Sequence, residues 1–272
     1  MLKLPKFLLG SAGVGGPILQ SLLFLGEFVC ITTVLGLPVD YYSHFVLEEK
    51  FGFNKLTVPM WISDNLKSLA LVGVLGAPIM AAFLKIIDYF GDKFMYYLTL
   101  FLFSVQILMI IIYPKFIQPL FNKLTPLEDG ELKTDVEALA AQEKFPLDKL
   151  FVIDGSKRSS HSNAYFLGLP WGSKQIVIYD TLISQSKNVK EVVAVLGHEI
   201  GHWYLSHTTK LLVINQAHIF SIFTLFSAFV KNKSLYNSFG FYNEYPTLIG
   251  FMLFGDVLKP TDAIMGFLMN LN

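Results

Sequence analysis

Five predominantly apolar runs, each long enough to cross a lipid bilayer as a helix, constrain this 272-residue chain more than any other feature. They fall at residues 16–37, 66–87, 95–113, 211–230 and 248–271, and a spanning helix needs about 20 such residues. In hydrocarbon, a helix satisfies every backbone N–H and C=O within its own segment, so runs of this kind fold as helices. Hydrophobic residues make up 53% of the chain and charged residues only 15%, against about 25% charged in soluble domains. The last run carries Asp256, Lys259 and Asp262 and is interrupted by Pro260. It reads as two half-helices, or as a short interfacial turn.

Charge and cysteine content exclude several classes. The formal net charge is zero and the basic residues are scattered, so no nucleic-acid partner is expected. Cys30 is the single cysteine, which rules out an internal disulfide framework and a thiolate metal cluster. Lys3 and Lys6 precede the first apolar run as they would in a signal peptide, but the run is too long for one and reads as an uncleaved span. Lysines on successive loops do not orient the chain across the membrane.

Between about residues 114 and 207 the long apolar runs stop and most of the charge appears. We expect a water-facing domain over 114–210, with membrane helices over 1–113 and 211–272. Leu132, Val136, Leu139 and Ala140 recur at helical spacing ahead of Pro146. Residues 150–153, 164–167 and 175–179 are rich in β-formers and predict a small meander.

The chemistry of that domain concentrates in His198-Glu199-Ile200-Gly201-His202. Residues four apart share a helix face, so the two imidazoles can grip one zinc ion, with Glu199 beside it as a general base. Peptide hydrolysis is the reaction this pattern serves. Asn188 and Glu191 form a predicted capping box, and Val192, Val193, Val195, Leu196 and Ile200 are the predicted buried positions. The strand at 164–167 would offer its edge to an extended substrate. Asn163, at its start, either binds that substrate or caps its own turn. His161 reads as a solvent-exposed loop histidine.

A catalytic zinc normally takes three protein ligands, and no spacing selects the third. His207 is expected to point away from the shared face, Glu191 lies too far along the axis, and His218 falls inside a span. Glu244, Asp256 and Asp262 follow the next apolar segment. The final residues form an apolar helix without the polar tail expected beyond a span, and read as cut.

Several long stretches carry a specific resemblance. Residues 41–55, ending Glu48-Glu49-Lys50-Phe51-Gly52-Phe53-Asn54-Lys55, are one. Phe121-Asn122-Lys123-Leu124-Thr125-Pro126-Leu127-Glu128, residues 154–168, and the pentad with its following Trp203 are the others. Over nearly its whole length the chain resembles the fungal type I CAAX prenyl endopeptidases, membrane zinc proteases that also mature the a-factor pheromone. The resemblance implies an α-helical multi-span membrane protein with a small α+β zinc-metallopeptidase domain, residing in the endoplasmic reticulum. It implies Zn²⁺ held by His198 and His202, catalysis by Glu199, and substrate pairing along Asn163, Ala164 and Tyr165. The implied reaction removes the C-terminal tripeptide from prenylated CAAX proteins. In such enzymes seven spans enclose a chamber, and a glutamate of a Glu-x-x-x-Asp motif beyond the final span is the third ligand. Here about five spans are expected and the chain ends before that motif, leaving the chamber wall incomplete. Two other readings stay open: a truncated form that binds prenylated or membrane substrates without cutting, and a membrane quality-control protease of misfolded proteins.

Overall fold

The computed structural model describes residues 16–269. Lys3 and Lys6, the last two residues of the fifth predicted span, and Asn272 lie outside that range. The chain divides into two compact units, residues 1–35, 70–103 and 211–272 in one and residues 36–69 and 104–210 in the other.

The apolar runs are helical. Helix α1 (Pro17–Tyr42) continues through a π-helical turn to Glu48. Helices α2 (Val58–Leu71), α3 (Ala77–Phe90) and α4 (Phe94–Ile112) follow. Gly91, at φ +50°, separates α3 from α4 in a backbone conformation that side chains resist. Among the described residues, three stretches are long and apolar enough to cross a membrane: Pro17–Glu48, Val58–Leu120, which contains two of the predicted spans, and His207–Phe229. The fifth predicted span is one helix, Thr247–Met269, running straight through Pro260. The expectation of two half-helices is therefore corrected. Its charges find local partners instead, with Lys259 Nζ 2.7 Å from Asp256 Oδ1 and His218 Nε2 3.3 Å from Asp262 Oδ1.

In the first unit, Phe83, Leu84 and Ile87 of α3 bury against Phe94 and Leu98 of α4 and against Phe223, Phe226, Leu248 and Phe254. The rings meet edge on: Phe83 and Phe251 at 5.1 Å and 61°, Phe226 and Phe251 at 5.3 Å and 78°. Such pairs contribute geometry as well as area.

The second unit holds the α+β core. Helix α5 (Glu131–Gln142) buries Val136 and Ala140, the centre of the predicted stripe. Strands β1 (Leu124–Pro126), β2 (Leu147–Ile153), β3 (Ala164–Leu167) and β4 (Lys174–Tyr179) form one sheet in the order β1-β2-β4-β3. This corrects the meander: β2 and β4 pair in parallel, and β3 comes back antiparallel on the outer side of β4. The ten residues before β3 carry the chain past the position β4 will take, so β2 and β3 are not sheet neighbours. Helix α6 (Asp180–Gln185) leads into α7 (Val189–Tyr204), which packs Val192, Leu196 and Ile200 onto this core.

Candidate metal and substrate site

Helix α7 starts where its capping box places it. Asn188 Oδ1 accepts from Glu191 N–H at 3.1 Å, and the Glu191 carboxylate accepts from Lys187 N–H at 2.9 Å, one residue earlier than the usual reciprocal bond. With the helix started there, Val192, Leu196 and Ile200 line its core face. Val195, predicted buried, is exposed. At about 100° per residue it lies beside the histidines and away from that face.

The rotation that buries Leu196 and Ile200 sets His198 and His202 on the opposite flank. Their Nε2 atoms stand 3.1 Å apart. Two nitrogens bound to one tetrahedral zinc at about 2.0–2.1 Å would be separated by about 3.3 Å, so the pair fits the ion. Glu199 is half-buried between the histidine flank and the core face. Among the described residues, no group of three or more His, Cys, Asp or Glu gathers as a metal site.

Sequence spacing misplaces His207. A continuous helix would carry it about 140° from His202; instead α7 stops at Tyr204, Ser206 adopts φ +57°, and α8 (His207–Phe229) begins. Across that break His207 Nδ1 stands 2.8 Å from His202 Nδ1.

Strand β3 is the sheet edge, as an edge-pairing role requires. Asn163 is exposed and its Oδ1 accepts from Ala164 N–H at 2.8 Å, the turn-capping alternative. Ala164 is buried in the core. The Tyr165 hydroxyl takes a 2.5 Å hydrogen bond from Gln118 Nε2, and burial pushes its phenol up to about 12 despite that bond. His161 stacks on Phe53, ring centres 4.4 Å apart.

Three stretches distant in sequence meet in the segment that precedes this strand. Lys55 N–H bonds Arg158 O, Ser160 N–H bonds Phe53 O, and Asp154 Oδ1 accepts from Lys123 N–H at 2.7 Å. Arg158 Nη2 reaches Asp64 Oδ2 at 2.9 Å, a pair that no local pattern announces. A polar cavity of about 540 Å³ lies there, lined by Asp40, His44, Asp64, Arg158, His161 and Asn163 among others. Gly155 is demanded by the packing, since a Cβ there would enter the Tyr179 ring.

Known proteins resemble this chain over most of its length. Residues 3–123 match the model for the CAAX prenyl protease N-terminal region with five membrane helices, and residues 126–271 match that for peptidase family M48. CAAX prenyl protease 1 of Saccharomyces cerevisiae is 54% identical over 268 residues, covering 93% of this chain and 59% of that protein. The Homo sapiens homolog is 38% identical, covering 95% and 62%. A crystal structure of S. mikatae Ste24p superposes with a TM-score of 0.89 at 53% identity, over 94% of this chain and 63% of that one. The chain thus spans about three fifths of the length of these relatives. It is an integral membrane protein, mostly helical, and it belongs to peptidase family M48.

Proposed function

We propose that this chain is a membrane zinc metalloendopeptidase that removes the C-terminal tripeptide from prenylated CAAX proteins, acting at the endoplasmic reticulum. The observation that carries the reading is the pair of Nε2 atoms at 3.1 Å on a helix packed against an edge strand, in a chain 54% identical to a CAAX prenyl protease. His198 and His202 would hold zinc, which when bound acidifies its water and polarises a carbonyl. Glu199 takes up a proton at its carboxylate and returns it to the leaving amine. The substrate lies extended along the outer edge of β3, beside Asn163, Ala164 and Tyr165. We assign the membrane helices to residues 1–113 and 211–272 and the zinc-peptidase domain, α+β in architecture, to residues 114–210.

A second reading, binding without cutting, has one observation in its favour: two imidazoles and no third ligand gather among the described residues. The experiment compares wild-type and Glu199→Gln protein on a farnesylated CAAX peptide and its unmodified counterpart. Cleavage should fall by roughly two to four powers of ten in the variant, while peptide binding persists. Each buried methylene contributes about 0.8 kcal/mol, so the farnesylated peptide should bind more tightly in both proteins. Wild-type protein that binds but never cuts selects the second reading, and equal affinity for the two peptides removes the prenyl assignment.

A further inference from the structure

We propose that His207 is a positioning residue for the metal site, accepting a hydrogen bond from His202 Nδ1–H and so fixing His202 in the tautomer whose Nε2 lone pair faces His198. The proposal rests on the metallopeptidase reading above and deepens it.

The two nitrogens of the His202 ring have different neighbours. His202 has Nε2 at 3.1 Å from His198 Nε2 and Nδ1 at 2.8 Å from His207 Nδ1. A neutral imidazole has one N–H and one lone pair, on different nitrogens. If His202 and His198 are to share an ion through their Nε2 atoms, the His202 proton must sit on Nδ1, and the group facing Nδ1 must accept it. The His207 Nδ1 lone pair is that acceptor, which leaves the His207 proton on its own Nε2. Ring geometry also excludes His207 as a third ligand to the same ion, because it touches the side of His202 turned away from His198. Metal-bound histidines commonly donate their second N–H to a carboxylate, carbonyl or water. Here an imidazole takes that place.

The joint between α7 and α8 is built to put it there. Leu205 N–H bonds Gly201 O at 3.0 Å and Ser206 N–H bonds Trp203 O at 2.8 Å, closing α7. Ser206 O then accepts from Lys210 N–H at 2.9 Å, opening α8. Two residues thus end one helix and start the next, with the direction change taken up by a non-glycine residue at φ +57°. A side chain leaving so tightly bonded a joint has little room to wander, as a positioning group requires.

The test uses the purified chain in detergent micelles, with Zn²⁺ titrated against a chromophoric chelator and the imidazoles ¹⁵N-labelled. His198→Ala and His202→Ala should lose binding. His207→Ala should weaken it about 10- to 100-fold, the usual effect of removing such an outer partner. His207→Asn, whose Oδ1 can accept as the imidazole Nδ1 does, should recover most of that loss. Without any substitution, the His202 Nδ1 resonance should be of the protonated, pyrrole type in the zinc-loaded protein. A protonated Nε2 on His202, or wild-type affinity in both His207 variants, overturns the proposal while leaving the metal pair standing. Loss of binding in His207→Ala with none in His198→Ala would place the ion at the Nδ1 pair and overturn it too. If neither His198→Ala nor His202→Ala affects Zn²⁺, the metallopeptidase reading itself fails, and the proposal with it.

Discussion

The two units bury their residues by different rules. In the α+β unit the core is chiefly aliphatic, Val136, Leu150, Ile176, Ile178, Val192, Leu196 and Ile200, and α7 divides sharply into a core face and a polar flank. In the helical unit the core is largely aromatic, while α1 buries no residue completely although most of its residues are apolar. Water supplies the driving force for the first: apolar area leaving water favours folding at about 25 cal/mol per Å². Lipid gives no such reward to the second, because hydrocarbon is as apolar as the helix surface, and association there depends on packing contacts. Edge-to-face phenylalanines suit that task. In a membrane helix, apolarity alone therefore does not tell a lipid-facing surface from a protein core.

Leu196 and Leu98 put this contrast to its strongest test, since both are fully buried, one in each unit. Leu196→Ala should cost about 2–5 kcal/mol. Leu98→Ala should cost clearly less, because the unfolded helix keeps that side chain in an apolar medium and only the packing loss remains. Pulsed proteolysis in micelles across a denaturant series reads both, and equal losses would break the distinction.

Gly155→Ala comes next. Its Cβ would collide with the Tyr179 ring, and overpacking of this kind costs about 1–3 kcal/mol. The loss should appear in unfolding of the α+β unit, and an unchanged midpoint would show that the ring can turn aside.

Ion pairs sharpen the contrast at a smaller scale. Asp64 and Arg158 are mostly buried, and Asp64→Asn should destabilise by about 1–2 kcal/mol. Lys231 and Asp92 lie 2.6 Å apart but are open to solvent, so Asp92→Asn should leave the unfolding midpoint where it is. A salt titration checks the same point: Asp64 should tolerate ionic strength that erases any Asp92 effect.

The last effect appears only in alkali. Burial holds the Tyr165 phenol at about 12 against an ordinary 10, so between those values the folded state keeps a proton that the unfolded state has lost. Stability from this group is complete below pH 10 and falls as pH rises towards 12. Tyrosinate absorbance should show several late-titrating phenols, one of which vanishes in Tyr165→Phe, and an unchanged titration would remove the burial argument.

How much of this was legible in the sequence follows the same division. Long apolar runs, the 3.6-residue stripe of α5 and the Asn188/Glu191 cap are local signals, and the structure carries them at nearly the predicted positions. Strand order was not legible, because the parallel pairing of β2 with β4 depends on a crossover that no local pattern encodes. Strand β1 is three residues long and ends in a proline, too little alternation to register. His207 escaped because the spacing argument assumes one unbroken helix, and Ser206, which breaks it, is not a residue that announces a left-handed turn. Continuous Thr247–Met269 is the opposite error: proline and charge read as a break where the helix persists. For the pentad, spacing put both imidazoles on one helix face, and their Nε2 atoms stand 3.1 Å apart.

Strand β3 has a consequence for the protein's behaviour in solution. Asn163 O accepts from Tyr179 N–H, and Tyr165 and Leu167 follow it in register towards β4, so Ala164 and Phe166 turn their backbone groups outward. One of those outward donors, Ala164 N–H, is already taken by the Asn163 side chain. A strand of four residues with its first donor plugged makes a poor template for runaway pairing with neighbouring copies, the hazard that exposed sheet edges carry. The edge can accept a short visitor and still resist seeding aggregates.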